Sequence, residues 1–419
     1  MTKDTTRLPQ LADILFSPDR DAAFARLREG PAVVAARYFD GTGVWLVTRY
    51  DDIVTVLTDR RFSSDVTRQT TLDLASATGL PDDVAPYFTH TFGTYDPPDH
   101  TRLRTLVSRE FTARRVQRLR PRIQQIVDEL LDAVAGAEEF DLIDRFAMPL
   151  PLRVICELLG VPAADQERWH DWSRDLTAPD PERIAAGARA LVGDITALIE
   201  EKRKAPAEDL LSALLQVREN DGDRLSAHEL TSISLSILLG GHQTTVDLIG
   251  SGTFLLLTHP EQRERLRAQP DQIPTAVEEL LRYAGPADIG VMRYTLEPVQ
   301  IGGVTIPAGE AVQVLYATGN RDPRRFSDPD RLALDRADNP HLAFARGPHY
   351  CLGAALARAE GDIAFRGLVS RFPRLTLAVH PDQLTWKPGP VRTLGTLPVR
   401  PGPSRPGSTG PAEEPTSWS

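Results

Sequence analysis

The sequence predicts a mainly α-helical protein with small β-sheets at one side. The chain has 419 residues, of which 41% are hydrophobic and 25% are charged, so it can bury a substantial core. Apolar residues recur at three- and four-residue spacing over long segments, which is typical of helices. The predicted helices are Arg115–Val134, Ile184–Arg203, Ala227–Thr258, Thr275–Tyr283 and Leu352–Phe372.

Strand-like stretches are shorter than these helices and are bounded by turn residues. The predicted strands are Gly43–Thr48, Val299–Ile306 and Ala311–Tyr316, with turns at Gly302-Gly303 and Pro307-Ala308-Gly309. We expect residues 1–400 to form one domain, because no interdomain linker or internal repeat interrupts them. Residues 401–419, PGPSRPGSTGPAEEPTSWS, are too poor in core residues to order themselves and predict a flexible tail.

Charge and hydropathy exclude several classes of protein. The formal net charge is -10, whereas proteins that bind nucleic acids usually have a basic excess. The first residues, Met1–Phe16, contain no continuous apolar stretch and so do not predict a secretory signal. The longest apolar stretches, such as Leu235–Leu239, are far too short to span a membrane. We therefore expect a cytoplasmic monomer with no nucleic-acid and no membrane partner.

The chain has two cysteines in different sequence contexts. Cys156 lies in an apolar helical run, whereas Cys351 lies in a loop that leads into an alanine-rich helix, and no disulfide is expected in the cytoplasm. Backbone N–H groups and the helix dipole stabilise a thiolate at a helix N-terminus. Cys351 is therefore a candidate metal ligand or nucleophile, although an isolated cysteine is more often a small buried hydrophobe.

The neighbours of Cys351 favour a ligand. The segment is FARGPHYCLGAALAR, in which glycines allow the backbone to approach a bulky partner, while Arg346 and His349 can donate to anionic groups. It resembles the haem-binding loop of the bacterial soluble cytochrome P-450 superfamily, Phe-Gly-x-Gly-x-His-x-Cys-x-Gly. The matching residues are Phe344, Gly347, His349, Cys351 and Gly353.

The resemblance implies the cytochrome P-450 fold, with haem b held between the Ala227–Thr258 helix and the cysteine loop. Cys351 would be the axial thiolate ligand of the iron, which donates electron density to the metal and favours O–O cleavage. The loop departs from the family pattern at Ala345, where glycine is usual. Cys156 falls in PLPLRVICELLGVP, which resembles a typical helix of the family, and is assigned to core packing.

A second motif is VEELLRY, which places Glu279 and Arg282 three residues apart on one helix face. Taken alone, such a pair is usually an exposed ion pair of small value. It is followed by NRDPRRFSDPDRLALDR at residues 320–336, which resembles the meander of the family. The resemblance implies that Glu279, Arg282 and an arginine of this stretch lock the core beneath the haem.

The third motif is LLGGHQTT, in the middle of the longest predicted helix. Two adjacent glycines cost about 1 kcal/mol each relative to alanine, so a flat ligand, O2 or a tight helix crossing should compensate. The family's catalytic segment, Ala/Gly-Gly-x-Asp/Glu-Thr, is matched by Gly240, Gly241 and Thr244. Gln243 replaces the acid, and an amide can hold water but cannot ionise. We expect His242 to be structural.

The fourth motif supplies donors for the haem propionates. His100 and Arg104 in YDPPDHTRLR are four residues apart, which in isolation predicts a solvated basic face. The resemblance implies instead that both bind propionates. Arg293 in GVMRYT matches a strand arginine with the same role, and His349 is a further donor. Charge-assisted hydrogen bonds from these groups would hold two carboxylates strongly.

The activity that the resemblance implies is hydroxylation or epoxidation of an organic small molecule, with O2 as co-substrate. The sequence is similar in style to actinobacterial enzymes that tailor specialised metabolites such as antibiotics, which is an analogy at the level of the family. Variable segments line the substrate pocket in this family. The candidate apolar contacts are Phe88, Phe92, Leu239, Ile289 and Val291.

No segment resembles a flavin-binding reductase module, so electrons should come from NAD(P)H through a ferredoxin and a ferredoxin reductase. An acidic ferredoxin needs a basic patch, which Arg102, Arg104, Arg109 and Arg346 could supply. Two alternatives stay open. Gln243 is compatible with a non-oxygenating or peroxide-driven haem-thiolate enzyme, and a haem-based sensor would keep the cysteine loop without turnover.

Overall fold

The structure is a computed structural model that describes residues 8–65, 80–89, 91–176, 180–216, 225–387 and 389–402. Helices dominate these residues and the strands are short, which confirms the predicted fold class. Apart from Pro401 and Gly402, the predicted tail lies outside the described residues. Within the described part of the chain, no helix combines the length and apolarity needed to cross a bilayer.

The α-helices of the described residues are numbered in chain order. The N-terminal half contains α1 (Leu11–Leu15), α2 (Arg20–Glu29), α3 (Tyr50–Thr58), α4 (Ala85–Thr89), α5 (Asp99–Ser108), α6 (Ala113–Val134), α7 (Pro149–Leu159), α8 (Gln166–Asp175) and α9 (Pro181–Lys204). The C-terminal half contains α10 (Leu210–Gln216), α11 (Ala227–Thr258), α12 (Pro260–Ala268), α13 (Ile273–Ala284), α14 (Tyr316–Gly319) and α15 (Ala354–Arg371). All five predicted helices are present.

The strands form small sheets. They are β1 (Val33–Arg37), β2 (Gly43–Val47), β3 (Phe62–Ser63), β4 (Phe140–Asp141), β5 (Arg293–Thr295), β6 (Val299–Ile301), β7 (Val304–Ile306), β8 (Ala311–Val314), β9 (Thr376–Leu377) and β10 (Pro398–Arg400). One sheet has the order β1-β2-β8-β5-β3, with β2 and β8 parallel, and another has the order β4-β10-β9. The predicted strand Val299–Ile306 is the hairpin β6-β7, whose turn is Gly302-Gly303.

The long helix α11 runs through the body of the protein. It begins at a capping box, in which the Ser226 hydroxyl accepts from the Glu229 N–H at 3.2 Å and the Glu229 carboxylate accepts from the Ser226 N–H at 2.7 Å. Its buried residues occur on every side of the helix, so neighbouring elements surround it. These neighbours include α7, α9 and α15.

The segment between β8 and α15 lies where three apolar clusters meet. Leu352 packs against the largest cluster, which joins α6, α7, α9, α11 and α15. Ala345 packs against a second cluster formed by the main sheet and α3. Phe344 belongs to a third cluster formed by α13, α15 and the C-terminal end of α11. The backbone around Cys351 is therefore fixed from three directions.

Candidate active site

The Cys351 thiol is presented by a tightly closed loop, residues 344–353, which we name the cysteine loop. The backbone N–H of Cys351 donates to the carbonyl of Phe344 at 2.9 Å, and the N–H of Tyr350 donates to the carbonyl of Gly347 at 3.1 Å. The guanidinium of Arg358, in α15, lies 4.5 Å from the centre of the Phe344 ring. These contacts hold the sulfur in one place at the start of α15.

Two positions of the cysteine loop have left-handed backbone. Gly347 has φ 73°, and a Cβ there would lie 2.6 Å from the carbonyl oxygen of Leu57 in α3, so this position requires glycine. Ala345 has φ 58°, a conformation that strains any residue with a Cβ. The family pattern has glycine at this position, and the alanine keeps the same backbone geometry at a cost in strain.

The Cys351 side chain faces a cavity. It is exposed by area, yet protein atoms surround it on most sides, and this burial raises the pKa of the thiol. The N–H groups of Gly353 and Ala354 and the positive charges of Arg104 and Arg358 act in the opposite direction and stabilise the thiolate. A metal cation bound to the sulfur would stabilise the thiolate further.

This cavity has a volume of about 460 Å³, and we name it the thiol cavity. Helix α11 and the cysteine loop both line it, and most of its walls are apolar. The lining includes Phe92, Phe111, Ile155, Ile237, Leu248, Val291, Phe344 and Leu356. A dry, largely apolar chamber strengthens electrostatic interactions with whatever binds inside it.

The two glycines in the middle of α11 have different surroundings. A Cβ on Gly240 would meet no atom within 4 Å, because this glycine faces open space in the thiol cavity. A Cβ on Gly241 would lie 2.7 Å from Cδ1 of Ile155 in α7, so Gly241 permits a tight helix crossing. Gly240 is therefore explained by the space that a ligand would need, whereas Gly241 is explained by the close packing of α11 against α7.

Thr244 and Gln243 lie on different sides of α11. The Thr244 hydroxyl lines the thiol cavity and donates to the carbonyl of Gly240 at 2.7 Å. Gln243 lines a second cavity of about 760 Å³, together with His242 and Leu239. The His242 ring is buried, and burial lowers its pKa to about 4, so it is neutral at pH 7.

The four predicted propionate donors lie together. The rings of His100 and His349 are 4.1 Å apart, and His349 and Arg104 line the thiol cavity. Burial and the charges of Arg293, His100 and Arg104 lower the pKa of His349 to about 3. The Ser64 hydroxyl lies 2.9 Å from Nε2 of His349 and fixes its ring.

Among the described residues, no carboxylate lies within salt-bridge distance of Arg293. Arg293 is 3% exposed, and among the described residues its hydrogen-bond acceptors are the carbonyls of Val291 and Met292, at 3.3 and 3.2 Å. Burial lowers the pKa of Arg293, and Nε2 of buried His100 has no hydrogen-bond partner within the described part of the chain. A buried cation and a buried donor of this kind favour the binding of an anionic ligand.

The Glu279–Arg282 pair forms the centre of a buried network. Arg282 donates to both carboxylate oxygens of Glu279, at 2.7 and 2.8 Å, and both side chains are fully buried. Arg336 of the 320–336 stretch adds a bond to Glu279 at 3.1 Å. Arg282 also donates to the carbonyl of Asn320 at 2.9 Å. The structure therefore joins α13 to this stretch through the residues that the sequence singles out.

The five candidate substrate contacts do not lie together. Phe92 and Val291 line the thiol cavity, whereas Phe88 and Leu239 line the second cavity. Ile289 is not among the residues that line either cavity, because it forms a β-bridge with Leu315 and packs into the apolar cluster of α1 and α2. The sequence predicted a pocket residue because Ile289 lies in a segment that resembles a variable region of the family. The β-bridge to Leu315 places it in the protein interior instead.

Sequence reasoning missed two buried acids that lie beside the candidate site. Glu360, in α15, lines the thiol cavity, and its Oε2 has no partner among the described residues. Burial raises its pKa to about 8, so the carboxyl is protonated at pH 7. Asp247, in α11, accepts a hydrogen bond from Gln243 at 3.1 Å. A single acid within a helix gives no sequence signal of burial, since exposed acids are far more common.

These residues fit a haem group. The Cys351 thiol could serve as an iron ligand, the bare surface of Gly240 leaves room for a flat ring, and the group of Arg104, Arg293, His100 and His349 could donate to two propionates. The apolar walls suit the porphyrin faces. No described group of three or more His, Cys, Asp or Glu residues could form a different metal site.

Comparisons with known proteins agree with this geometry. The family model described as cytochrome P450 matches residues 182–387. The chain is 45% identical to 6-deoxyerythronolide B hydroxylase of Saccharopolyspora erythraea, over 94% of this chain and 99% of the relative. It is 44% identical to cytochrome P450 monooxygenase PikC of Streptomyces venezuelae, over 94% of this chain and 95% of the relative.

A solved structure extends the likeness to the fold. The bacillaene polyketide synthase cytochrome P450 PksS of Bacillus subtilis 168 superposes with a TM-score of 0.85 at 37% identity, over 93% of this chain and 97% of that chain. Full-length identity of this level, the matching fold and the fitted cavity lead to one conclusion: the chain belongs to the cytochrome P450 family and is a haem-dependent monooxygenase.

Proposed function

We propose that this monooxygenase uses Cys351 as its iron ligand and hydroxylates or epoxidises a largely apolar specialised metabolite of polyketide type. One observation supports this most. The Cys351 thiol, the open face of Gly240 and the Thr244 hydroxyl line one largely apolar cavity, and the buried cation Arg293 lies with Arg104, His100 and His349 at its edge. We also propose that residues 1–400 form the single catalytic domain.

When bound, the haem supplies the activation of O2 and the oxidation of the substrate. The protein would supply the sulfur ligand, and the N–H groups of Gly353 and Ala354 favour the anionic form of that sulfur. His100, Arg104, Arg293 and His349 would hold the two propionates and so set the orientation of the ring. Phe344 and Gly347 fix the loop backbone beneath it.

Thr244 would organise water on the other side of the cavity. Its hydroxyl proton is used in the bond to the Gly240 carbonyl, so its oxygen remains free to accept a hydrogen bond from water. The open space beside Gly240 gives this water room, and the other walls of the cavity are largely apolar. Thr244 therefore holds water at the place where protons are consumed.

The two cavities suggest the chemical class of the substrate. The thiol cavity is walled mainly by apolar side chains, whereas the second cavity also has charged residues, including Asp144, Arg174 and Lys387. A largely apolar molecule suits the thiol cavity. This agrees with the relative named for hydroxylation of 6-deoxyerythronolide B and with the structural neighbour from a polyketide synthase pathway.

We propose that a ferredoxin, reduced from NAD(P)H by a ferredoxin reductase, delivers the electrons in the cytoplasm. The half-buried Arg346 donates to the carbonyl of Pro340 at 2.7 Å, so it also supports the cysteine loop. Arg109 is exposed and is the better site for a charge test. Arg109→Glu should slow reduction of the iron and make the rate of reduction less dependent on salt concentration. Unchanged reduction kinetics would show that the ferredoxin does not dock at this basic patch.

The decisive experiment tests the iron ligand. The haem-loaded protein, reduced with dithionite and exposed to carbon monoxide, should give the red-shifted Soret band of a thiolate-ligated haem. Cys351→Ala should abolish this band, whereas Cys156→Ala, at the other cysteine, should keep it. An unshifted band in the unaltered protein, or an unchanged band in Cys351→Ala, would overturn the assignment.

Turnover separates the enzyme from its alternatives. Ligands that shift the spin state of the ferric iron should be oxidised in the presence of NADPH, O2 and a surrogate ferredoxin chain. Thr244→Ala should lower the product formed per O2 consumed, because water is no longer held in place. Product with hydrogen peroxide but none with the electron-transfer chain would instead identify a peroxide-driven oxidase, and binding without product would identify a sensor.

A further inference from the structure

Gln243 occupies the position where the family pattern has an acid, so another group should supply protons to the thiol cavity. Each oxygenation consumes protons inside a largely apolar cavity, and Gln243 cannot ionise. Helix α11 forms a wall between two cavities: Thr244 lines the thiol cavity and Gln243 lines the second cavity. A titratable group close to these two residues would give protons a route from the second cavity to Thr244.

Asp247 is one helical turn beyond Gln243. The amide Nε2 of Gln243 donates to Oδ1 of Asp247 at 3.1 Å, and Asp247 is 2% exposed. Its other oxygen, Oδ2, has no hydrogen-bond partner among the described residues. Residues three and four apart on a helix are neighbours, so Asp247 is next to both Thr244 and Gln243. A fully ionised carboxylate with one unpaired oxygen would be costly at this depth.

The surroundings of Asp247 place its titration in the physiological range. Burial raises the pKa of its carboxyl to about 7, while the nearby Thr393 hydroxyl, the Gln243 amide and the charge of Lys387 act to lower it. Lys387 itself lines the second cavity, as do Asp144 and Arg174. The neighbouring His242 is neutral at pH 7. Asp247 is therefore the group next to Gln243 that can both hold and release a proton near pH 7.

We propose that Asp247 stands in for the acid that Gln243 replaces: its carboxyl takes protons from the second cavity beside Lys387 and passes them, through water held by Gln243, towards Thr244. This inference rests on the proposed function. Gln243 becomes the residue that positions Asp247 and water, and Asp247 acts through it without touching the substrate.

The reaction balances with Asp247 as a relay. Hydroxylation of a substrate RH follows RH + O2 + 2 e⁻ + 2 H⁺ → ROH + H2O, with both electrons delivered by the ferredoxin and both protons taken from solvent. Asp247 loses a proton towards Thr244 and regains one from water in the second cavity. No bond to carbon forms at Asp247, and its protonation state is the same before and after each complete cycle of proton loss and uptake.

The test compares Asp247→Asn with the unaltered holoenzyme. NADPH oxidation driven by a surrogate ferredoxin chain should slow by on the order of 100-fold in Asp247→Asn, the lower end of the effect of a positioned general acid. Below pH 7 the acid holds its proton and above pH 7 it does not, so the unaltered rate should fall between pH 6 and pH 8. This fall should disappear in Asp247→Asn.

Rescue and a matched control separate relay from structure. The double variant Gln243→Glu with Asp247→Asn restores an acid beside Thr244 and should recover most of the rate. Ser251→Ala removes a buried hydroxyl one turn further along α11, which also lacks a partner among the described residues, and should leave the rate unchanged. Failure of the double variant to recover, or an equal loss in Ser251→Ala, would overturn the relay.

An infrared titration supplies a readout that is independent of turnover. The protonated carboxylic C=O band that disappears near pH 7 should be absent from Asp247→Asn and present in Glu360→Gln. If this band persists in Asp247→Asn, Asp247 is not the titrating acid. The carbon monoxide spectrum separates failure of the proposed function from failure of the relay. If the unaltered protein lacks the red-shifted Soret band, the proposed function is refuted. If the band is normal but Asp247→Asn has an unaltered rate and pH profile, only the relay is refuted.

Discussion

Replacing Glu279 by glutamine should destabilise the protein strongly, although it changes only one oxygen for an NH2 group. Five N–H donors converge on the two carboxylate oxygens: Nε and Nη2 of Arg282, the Ala333 N–H, Nε of Arg336 and Nδ2 of Asn339. The glutamine can keep one oxygen as acceptor in either orientation. At least two donors then face the new NH2 group, and the Arg282 charge stays buried without its counterion.

The size of the effect follows from these contacts. A buried donor left without an acceptor costs about 1–3 kcal/mol, so two such donors cost roughly 2–6 kcal/mol. Breaking a buried ion pair by removing one partner costs about 3–5 kcal/mol, which is the same range. We therefore expect the free energy of unfolding to fall by about 4 kcal/mol in Glu279→Gln.

Urea unfolding of the haem-loaded protein measures this change, with haem at equal concentration in all samples because bound ligand adds to stability. The matched control is Glu264→Gln, which breaks another Glu–Arg pair at the same spacing. Arg267 Nε donates to Glu264 at 2.8 Å, yet both side chains are exposed, and the midpoint should not move. Equal shifts for the two variants, or a loss below about 1 kcal/mol in Glu279→Gln, would refute the reasoning.

Three further predictions concern the site. Arg293→Gln should speed the transfer of haem to apomyoglobin by roughly ten- to a hundredfold, since it removes a charged hydrogen bond worth about 1.5–3 kcal/mol; slower transfer would exclude a propionate contact. Ala345→Gly should raise the free energy of unfolding by about 1 kcal/mol, because it relieves left-handed backbone, and a decrease in urea resistance would contradict this. Burial raises the pKa of Glu360 from its ordinary value of 4.5 to about 8. The unfolded chain therefore loses this proton first, and the free energy of unfolding falls as the pH rises through this window. Glu360→Gln should gain stability relative to the unaltered protein between pH 5 and pH 8 in urea titrations, and a constant difference would count against it.

The sequence was sufficient for the elements with strong periodicity. The helix predicted at Ile184–Arg203 is observed as Pro181–Lys204, because the Asp180 side chain accepts from the Glu182 N–H and Pro181 occupies the first turn. The Gly302-Gly303 turn likewise has positive φ at both residues, as a two-residue hairpin loop demands. In both cases the deciding interactions are local in sequence.

The environment of single side chains could not be predicted. Gly240 and Gly241 are adjacent and equivalent in sequence, yet Ile155 of another helix contacts only one of them. Asp247 resembles any helical acid until Lys387 and Thr393 are brought beside it from the C-terminal region. The roles of such residues depend on partners distant in the chain, and one sequence without its fold does not specify those partners.

The contact between Gly347 and Leu57 has a consequence for engineering. The cysteine loop rests on the last turn of α3, and the Tyr50 hydroxyl of the same helix donates to the carbonyl of Pro340 at 2.6 Å. A chimaera that imports only the loop from a relative would place foreign backbone on an unmatched support. Exchanging the loop and α3 together preserves the contact that supports Cys351. Recombination breakpoints should therefore lie outside both segments.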